Sequence, residues 1–420
     1  MKHRQNTVRL TVYLIHTVLF LTLVAVLGGC IDGQHLTAQP PTQRTDHRLI
    51  LGANAFAFRL LSQLSNDERG ENVFFSPISV YFALMMAADG AGTGTRQAMI
   101  DTLHASALPQ EEITRGLSNL LTVLENPDPR VQMTIANSLW VRENFPIIPG
   151  FLQNAQEFYQ AQVSELDFLD PAAPARINEW ITNATGGKIL SIVDSINPDI
   201  VLFLINAIHF QGTWTRQFDP NLTREGVFYP SGGGQVKLPM MQLRSRFDYL
   251  EIADIQIIRL PYGDENVSML IFLPDLVGSS LDEVIRHITT EGWRTWLDQL
   301  EETEVTLTLP RFSVEFSDDL NEALKKMGME VAFDPDRADF SGIVEPPPNA
   351  YISRVAHKAY LAVGEEGTEA AAVTSVEVGV TSAPLDEITM LVNRPFLCAI
   401  VDEASGVILF MGTIQKPAQN

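Results

Sequence analysis

Residues 363–384 have the sequence VGEEGTEAAAVTSVEVGVTSAP, which is the most informative stretch of this chain. Despite its three successive alanines, the stretch is too rich in small residues for a core helix. One set of alternate positions has no charge: Thr368, Ala370, Ala372, Thr374, Val376, Val378 and Val380. The positions between them, from Glu369 to Thr381, contain the two acidic residues of this part, Glu369 and Glu377. This alternation predicts a β-strand with one face suited to a hydrophobic core.

Residues typical of loop ends flank the same stretch, namely Gly367 on one side and Ala383-Pro384 on the other. A segment that can be either an exposed loop or a buried strand is a two-state element. Small residues at its N-terminal end would let it enter between existing strands with little steric clash. On this pattern alone, an ordinary edge strand or an Ala-rich loop is favoured over a switch.

The composition of the whole chain is that of a large globular protein. Its 420 residues are 45% hydrophobic and 19% charged, which is enough apolar material for a sizeable core. The formal net charge is −22. Because such a surface repels phosphate backbones, we expect no nucleic-acid partner. We take the acidity as an adaptation for solubility, not as a recognition surface.

Helical and strand patterns interleave along the chain. Helical periodicity or buried helical runs occur at Leu49–Leu64, Ser79–Ala88, Gly150–Tyr159, Pro174–Thr185, Leu281–Ile288 and Ser317–Met327. Strand-like runs occur at Val131–Val141, Ile200–Phe210, Gln235–Met241, Ile255–Leu260, Val267–Leu273 and Val305–Leu309, and a hairpin is predicted from Val392–Val401 and Val407–Met411. Because these patterns follow no regular βαβ order, the fold class expected is α+β.

The N-terminus has the pattern of an export signal. A basic segment, Met1–Arg9, precedes the nearly all-apolar run Val12–Leu27. Leu27-Gly28-Gly29-Cys30 then resembles a bacterial lipobox, in which the cysteine is lipidated. An uncleaved membrane anchor and an earlier cleavage that releases a soluble protein remain alternatives. The only other cysteine, Cys398, lies in an apolar run and is expected to be a buried, inert thiol.

These features predict three segments. Residues 1–29 form a signal peptide, residues 30–48 form a flexible tether with Cys30 lipidated, and residues 49–417 form one domain. The protein is therefore expected outside the cytoplasm and anchored to the cell envelope through its lipid. Release into the extracellular medium is the alternative.

The sequence contains none of the short catalytic motifs that we looked for. It has no Gly-x-Ser-x-Gly elbow, Walker loop, Cys-x-x-Cys pair, His-x-x-x-His pair or calcium loop. We therefore expect no enzymatic activity, no metal and no cofactor. His209 and His357 lie inside apolar strands, where a structural histidine is the default. A Ser/His/acid triad that is assembled only in three dimensions remains an alternative.

Nine segments, in order, resemble one protein family. The segment Glu365-Glu366-Gly367-Thr368-Glu369-Ala370-Ala371-Ala372 is similar to the hinge of inhibitory serpins. The other eight are NVFFSPIS (72–79), LINAIHFQGTW (204–214), LPY (260–262), SMLIFLP (268–274), LPRF (309–312), ADFSG (338–342), HKA (357–359) and NRPF (393–396). The resemblance extends over about Leu49 to Gln415.

This resemblance implies a single serpin domain with three β-sheets, eight or nine helices and an exposed reactive loop near the C-terminus. It implies a monomer that forms a covalent complex with a target serine protease. The protease cuts the loop, and the cut loop inserts into the main sheet before the acyl-enzyme is hydrolysed. The alternatives are a non-inhibitory serpin that acts as a carrier or chaperone and, from another class, an envelope hydrolase.

The resemblance also implies roles for particular residues. The region where the main sheet opens contains Ser76, Ser79, Asn206 and His357. Trp214 and Arg311 match the top of that sheet, where the loop first enters, and Glu365 is expected to pair with Arg311. The hinge is formed by Glu365, Glu366, Gly367, Thr368, Glu369, Ala370, Ala371 and Ala372.

The resemblance also implies a reactive bond fourteen residues along from Thr368, at Thr381–Ser382, with the bonds after Val380 and Val378 as alternatives. All of these residues are small or β-branched, and no Lys or Arg lies between Glu365 and Pro384. They fit a shallow specificity pocket, as in elastase-like or subtilisin-like enzymes, and not a trypsin-like pocket.

Overall fold

Nine α-helices occur in the residues that the structure, a computed structural model, describes: 46–125, 127–197, 200–275, 280–347, 349–368 and 388–418. They are α1 (His47–Asp67), α2 (Pro77–Asp89), α3 (Thr93–Thr102), α4 (Gln110–Leu124), α5 (Pro149–Tyr159), α6 (Ala173–Ala184), α7 (Leu281–His287), α8 (Thr290–Asp298) and α9 (Asn321–Leu324). None of the described helices is both long and apolar enough to span a membrane.

Fifteen strands accompany these helices in the described residues. They are β1 (Val73–Phe75), β2 (Val131–Arg142), β3 (Gln162–Leu166), β4 (Leu202–Thr213), β5 (Arg224–Phe228), β6 (Val236–Ile252), β7 (Ile255–Tyr262), β8 (Val267–Pro274), β9 (Glu301–Pro310), β10 (Phe312–Asp319), β11 (Ile352–Val363), β12 (Gly367–Thr368), β13 (Ile388–Leu391), β14 (Phe396–Asp402) and β15 (Ile408–Ile414). Helices and strands are mixed along the chain, so the expected α+β class is confirmed.

A six-stranded sheet has the order β10-β11-β12-β4-β2-β3. Its two central long strands, β4 and β11, are parallel and pair directly from Leu202 and Ile352 to Ile208 and Ala359. Beyond that point they separate, and the two-residue strand β12 lies between them, antiparallel to both. This gap at one end of the sheet positions the site described below.

The other strands form a nine-stranded network in which β6 pairs with three neighbours. The first part of β6 pairs with β5 and β9, whereas its last four residues pair with β7. The long strand β6 thus joins one portion (β5, β9 and β13) to another (β7, β8, β14, β15 and β1). With the six-stranded sheet, these portions give the expected three-sheet architecture.

Both faces of the six-stranded sheet are covered, which explains its continuous apolar runs. In β2, Leu139 and Val141 belong to the main hydrophobic core, while Trp140 points into a second cluster beneath α6. Ile177 and Ile181 of α6 pack in that second cluster. Because successive side chains of a strand alternate between faces, a strand covered twice must be apolar at nearly every position.

Two predicted segments differ from the structure. A helix was expected at Ser317–Met327, but β10 extends through Asp319 by pairing with β11, and helix α9 begins only at Asn321. The strand expected at Gln235–Met241 is longer, since β6 continues to Ile252. In both cases pairing with a neighbouring strand decides where the element ends. The C-terminal hairpin is confirmed by antiparallel β14 and β15, and Cys398 within it is fully buried.

Candidate functional site

The first hinge residues are already part of the six-stranded sheet. Gly367 and Thr368 pair with Thr213 and Gly212 of β4, and Thr368 also pairs with Val363 of β11. The backbone φ of Gly367 is 155°, and a Cβ atom added to this residue would lie 2.0 Å from the carbonyl oxygen of Gly212. Only glycine fits this close approach to the β4 backbone, so the chain can turn into the gap here.

Thr368 occupies the gap as a fully buried side chain. Its hydroxyl group lies 2.7 Å from the hydroxyl of Tyr262, in β7, and one donates to the other. Burial raises the pKa of Tyr262 well above its usual value, so the phenol stays protonated. Each of the two buried hydroxyl groups therefore gains a partner from the other.

Trp214 lies directly after β4 and holds the turn that leads into β12. Its ring stacks on that of Tyr262 with the centroids 4.2 Å apart. The indole Nε1 donates to the carbonyl oxygen of Gly364 at 2.9 Å, and the backbone N–H donates to that of Glu366 at 2.9 Å. Trp214, predicted at the top of the sheet, thus binds the chain on the N-terminal side of β12.

Glu365 is held by neighbours from separate parts of the chain. Its carboxylate accepts a hydrogen bond of 2.8 Å from Thr223 and lies 3.6 Å from the guanidinium of Arg311. Its carbonyl oxygen accepts from the backbone N–H of Phe218 at 2.9 Å. The expected pairing of Glu365 with Arg311 is therefore observed.

A second group of polar side chains lies deeper in the same sheet. Asn137, Asn206 and His357 are cross-strand neighbours on β2, β4 and β11. The amide nitrogen of Asn206 donates to Asn137 Oδ1 at 2.6 Å and to the hydroxyl of Ser79 at the start of α2. His357 Nδ1 lies 2.6 Å from Asn206 Oδ1, and the backbone N–H of Ser76 donates to His357 Nε2 at 3.2 Å. We call these five residues the buried polar cluster.

The hydrogen bonds fix the protonation of His357. Because Asn206 Oδ1 can only accept, Nδ1 carries the proton, and because the Ser76 N–H can only donate, Nε2 is unprotonated. Full burial lowers the pKa of His357 to about 3, so the ring is neutral at physiological pH. The ring nitrogen that a general base would use is taken up by a backbone N–H, which does not suit a Ser/His catalytic pair.

The sequence did not identify three contributors to these two groups of residues. Asn137 completes the bonds of Asn206, Tyr262 receives Thr368, and Thr223 binds Glu365. A polar residue in the middle of the apolar run Val131–Val141 is the signal that would have indicated Asn137. The contacts of Thr223 and Tyr262 depend on chain segments that are remote in sequence.

Several predicted site residues lie outside the described part of the chain. These are Cys30, the hinge residues Glu369, Ala370, Ala371 and Ala372, and the reactive-bond candidates Val378, Val380, Thr381 and Ser382. Within the described part, no group of three or more His, Cys, Asp or Glu side chains is arranged to hold a metal ion.

Comparison with known proteins identifies the family. Residues 51–417 match the model of the family described as serpin (serine protease inhibitor). Serpin B8 of Homo sapiens is 35% identical over 370 residues, which cover 86% of this chain and 97% of that protein.

Two solved structures share the fold. The native state of tengpin, a thermophilic serpin, matches with a TM-score of 0.83 and 32% identity over 88% of this chain and 95% of its own. Human thyroxine-binding globulin in complex with thyroxine matches with a TM-score of 0.82 and 29% identity, over 90% of this chain and 100% of its own. With the family model matched over nearly the whole described region, this chain belongs to the serpin family.

Proposed function

We propose that this protein inhibits serine proteases by a suicide mechanism: the protease cuts the loop at Thr381–Ser382, and the loop inserts into the six-stranded sheet. The observation that carries the proposal is the position of Thr368, buried between β4 and β11 immediately before the predicted loop. Thr368 therefore lies where the first residue of an inserted strand would lie, and β4 and β11, which would receive the rest of that strand, are on either side of it.

Insertion exchanges one set of backbone hydrogen bonds for two. The direct pairing of β4 with β11, from Leu202 and Ile352 to Ile208 and Ala359, would be lost. A new strand continuing from β12 would pair with both neighbours and bury the uncharged face that begins at Thr368. Fourteen residues at ~3.3 Å each would carry the tethered protease about 45 Å. The gain can exceed the free energy needed to deform part of a marginally stable protease.

The buried polar cluster supports a role in opening the sheet. Its bonds cross the boundary that must separate, since Asn206 lies on β4 and His357 lies on β11. Ser76 and Ser79 anchor the same bonds to helix α2. A polar network can exchange partners as strands part, whereas an apolar contact would only lose its neighbour.

The proposed targets are elastase-like or subtilisin-like enzymes. The residues around the proposed bond are small or β-branched, and the loop has no Lys or Arg to fill a trypsin-like pocket.

We further propose that Cys30 is lipidated and tethers a monomer to the cell envelope. Incorporation of labelled fatty acid that is lost in a Cys30→Ser variant would support this part; incorporation that persists would contradict it.

The second candidate function is a non-inhibitory carrier. It is favoured by the structural similarity to human thyroxine-binding globulin, which was solved in complex with thyroxine. Against it stands the uncharged insertion face of the hinge, on which Thr368 is followed by Ala370, Ala372 and Thr374.

The experiment mixes the chain from residue 31 onward, with no lipid, with pancreatic elastase and separately with subtilisin. Denaturing gels and intact-mass analysis detect a covalent complex and the released C-terminal peptide. A complex with release of a peptide that begins at Ser382 is the expected result. Cleavage by both enzymes without any complex would contradict the inhibitory mechanism and favour the carrier.

A further inference from the structure

A polar pocket lies where the C-terminal end of helix α1 meets the start of helix α7. It encloses about 360 Å³, which is within the range of small-molecule sites. Its lining includes Ser65 in α1, Arg69 just after α1, Asp282 in α7, Arg394 shortly before β14 and Gln415 directly after β15. None of the described residues that line it belongs to the six-stranded sheet or to the hinge, so the pocket is separate from the site where the loop would insert.

Two side chains of the pocket lack the hydrogen bonds that buried polar groups normally make. Gln415 is only 9% exposed, and its backbone N–H donates to Asn72 Oδ1 at 2.8 Å, but its side-chain amide has no partner among the described residues. The hydroxyl group of Ser65 is likewise buried without a partner in that part of the chain. Because unpaired buried polar groups are rare, a small molecule with hydrogen-bond donors and acceptors suits this pocket.

The guanidinium of Arg394 is fixed in position but not fully paired. Its Nε donates to the carbonyl oxygen of Pro274 at 2.7 Å, and its Nη1 donates to that of Leu391 at 3.2 Å. Within the described ranges, no residue accepts a hydrogen bond from its Nη2. Desolvation lowers the pKa of Arg394, although the carboxylate of Asp275 opposes this shift, so a further anion beside the guanidinium would be stabilised.

Two exposed charges of opposite sign also line the pocket. Neither Arg69 nor Asp282 forms an ion pair or a side-chain hydrogen bond with any residue that the structure describes. A simple anion would pair with the arginines and leave Asp282 unpaired, whereas a simple cation would do the reverse. The charges of the pocket therefore fit a ligand that has both a carboxylate and an ammonium group.

The walls of the pocket are held by hydrogen bonds between distant segments. The hydroxyl of Ser231 donates to the carbonyl oxygen of Gly70 at 3.3 Å, and its backbone N–H donates to that of Gln415 at 3.4 Å. At another wall, Ser280 and Glu283 form a capping box that fixes the start of α7. A preformed site loses little conformational entropy when a ligand binds.

We infer that this pocket binds a free amino acid with a small polar side chain. The carboxylate of the ligand pairs with Arg394 and Arg69, and its ammonium group pairs with Asp282. Its side chain forms hydrogen bonds with the hydroxyl of Ser65 and the amide of Gln415. Such a ligand pairs both signs of charge and satisfies both buried polar groups, which no simple ion does. The inference does not depend on the proposed inhibition of proteases.

The test is equilibrium dialysis of the full mature chain against labelled serine, asparagine and glutamine, each compared with its N-acetyl and amide derivatives. The N-acetyl derivative lacks the ammonium group and the amide derivative lacks the carboxylate, while both keep the side chain. We expect at least one of the three amino acids to bind with a dissociation constant below about 1 mM. Both of its derivatives should bind at least tenfold more weakly.

Variants place the binding in the pocket. Asp282→Asn and Arg69→Gln each remove one exposed charge, and Asp298→Asn and Arg294→Gln are matched controls in or beside the same region, on α8 and outside the pocket lining. Asp282→Asn should weaken binding of the amino acid at least tenfold and leave binding of its N-acetyl derivative unchanged. Arg69→Gln should weaken binding of the amino acid and leave that of its amide derivative unchanged. The controls should change every dissociation constant less than twofold.

Three results would overturn the inference. If the wild type binds none of the three amino acids, water is sufficient to solvate the pocket. If pocket and control variants have equal effects, the ligand lies elsewhere. If an N-acetyl derivative binds as tightly as the free amino acid, the site takes a simple carboxylate, such as the C-terminal residue of a peptide, and not a zwitterion. Because no protease is present, each of these results is independent of the inhibitory function.

Discussion

Replacing Thr368 by arginine should convert the protein from an inhibitor into a substrate. Thr368 is fully buried between β4 and β11, and its hydroxyl is bonded to that of Tyr262. A guanidinium in this position would be charged, buried and without an anionic partner. The penalty for such a group in a real protein interior is several kcal/mol.

Release of Thr368 from the gap breaks only part of the hinge contacts, because those of Glu365 and Glu366 lie before it in the chain. The bonds lost are the hydroxyl bond to Tyr262, the two-residue pairing of β12 with β4 and β11, and the bond from the Gly364 N–H to the carbonyl oxygen of Gly367. At about 1 kcal/mol each, these few bonds are no stronger than the penalty for the buried charge. The Thr368→Arg variant should therefore expel β12 from the sheet instead of burying the charge, and insertion after cleavage should slow.

The assay counts moles of protein consumed per mole of elastase trapped, with denaturing gels to separate complex from cut chain. We expect Thr368→Arg to reduce the trapped fraction at least tenfold, while the rate of cutting stays within threefold of the wild type. Thr368→Val is the matched control, because it keeps the shape and lacks only the hydroxyl, and it should trap nearly as well. If Thr368→Arg traps elastase as efficiently as the wild type, the insertion mechanism is wrong.

Three further predictions concern stability and the hinge. Burial lowers the pKa of His357 to about 3, so the unfolded chain binds more protons than the folded one between pH 6.5 and about 3. The free energy of unfolding should therefore fall by up to about 1.4 kcal/mol for each pH unit as the pH drops through this range. In the variant His357→Gln, the urea midpoint should depend less steeply on pH than in the wild type. Burial, together with repulsion from Glu68, raises the pKa of Asp318 to about 6. The folded state therefore favours the protonated carboxyl, and the free energy of unfolding falls as the pH rises from about 4 to 6 and the group ionises. Because the group is only half-buried, Asp318→Asn should stabilise by about 1 kcal/mol at pH 7.5 and by nothing at pH 4; equal effects at both pH values would contradict this origin. The variant Trp214→Phe keeps an aromatic ring against Tyr262 but loses the bond from the indole to the carbonyl oxygen of Gly364. The turn should then open more often, so hydrogen exchange at the Gly364 amide, which donates to Gly367 across the turn, should accelerate about fivefold. Unchanged exchange would show that the indole bond does not hold the turn.

Local patterns were sufficient for much of the fold. The run Ile200–Phe210 predicted a strand covered on both faces, and β4 is covered by the main core and by the cluster under α6. The hairpin around Gly406 was evident from a turn between two apolar runs, because its strands are adjacent in sequence. In contrast, α4 (Gln110–Leu124) was not predicted, although its buried residues follow a helical period.

Local sequence patterns could not predict which distant segments of the chain pair with each other. Residues 317–319 carry no apolar run of their own, and they are a strand because β11 offers a free edge to pair with. The ion pair of Glu365 with Arg311 was anticipated from the family resemblance, whereas Thr223, which binds the same carboxylate, was not. The residues of the buried polar cluster were named by resemblance, apart from Asn137, but their bonds were not.

The sequence by itself determined the class, the order of most elements and the alternating, uncharged face that begins at Thr368. These depend on side-chain polarity and spacing, which are local properties of the chain. Only the tertiary structure decided that Thr368 is already buried between β4 and β11, that His357 is neutral with its proton on Nδ1, and that side chains of both charge signs line one polar pocket. The physical reason is that burial, protonation and concavity are created by neighbours that are distant in sequence, and these neighbours exist only once the chain has folded.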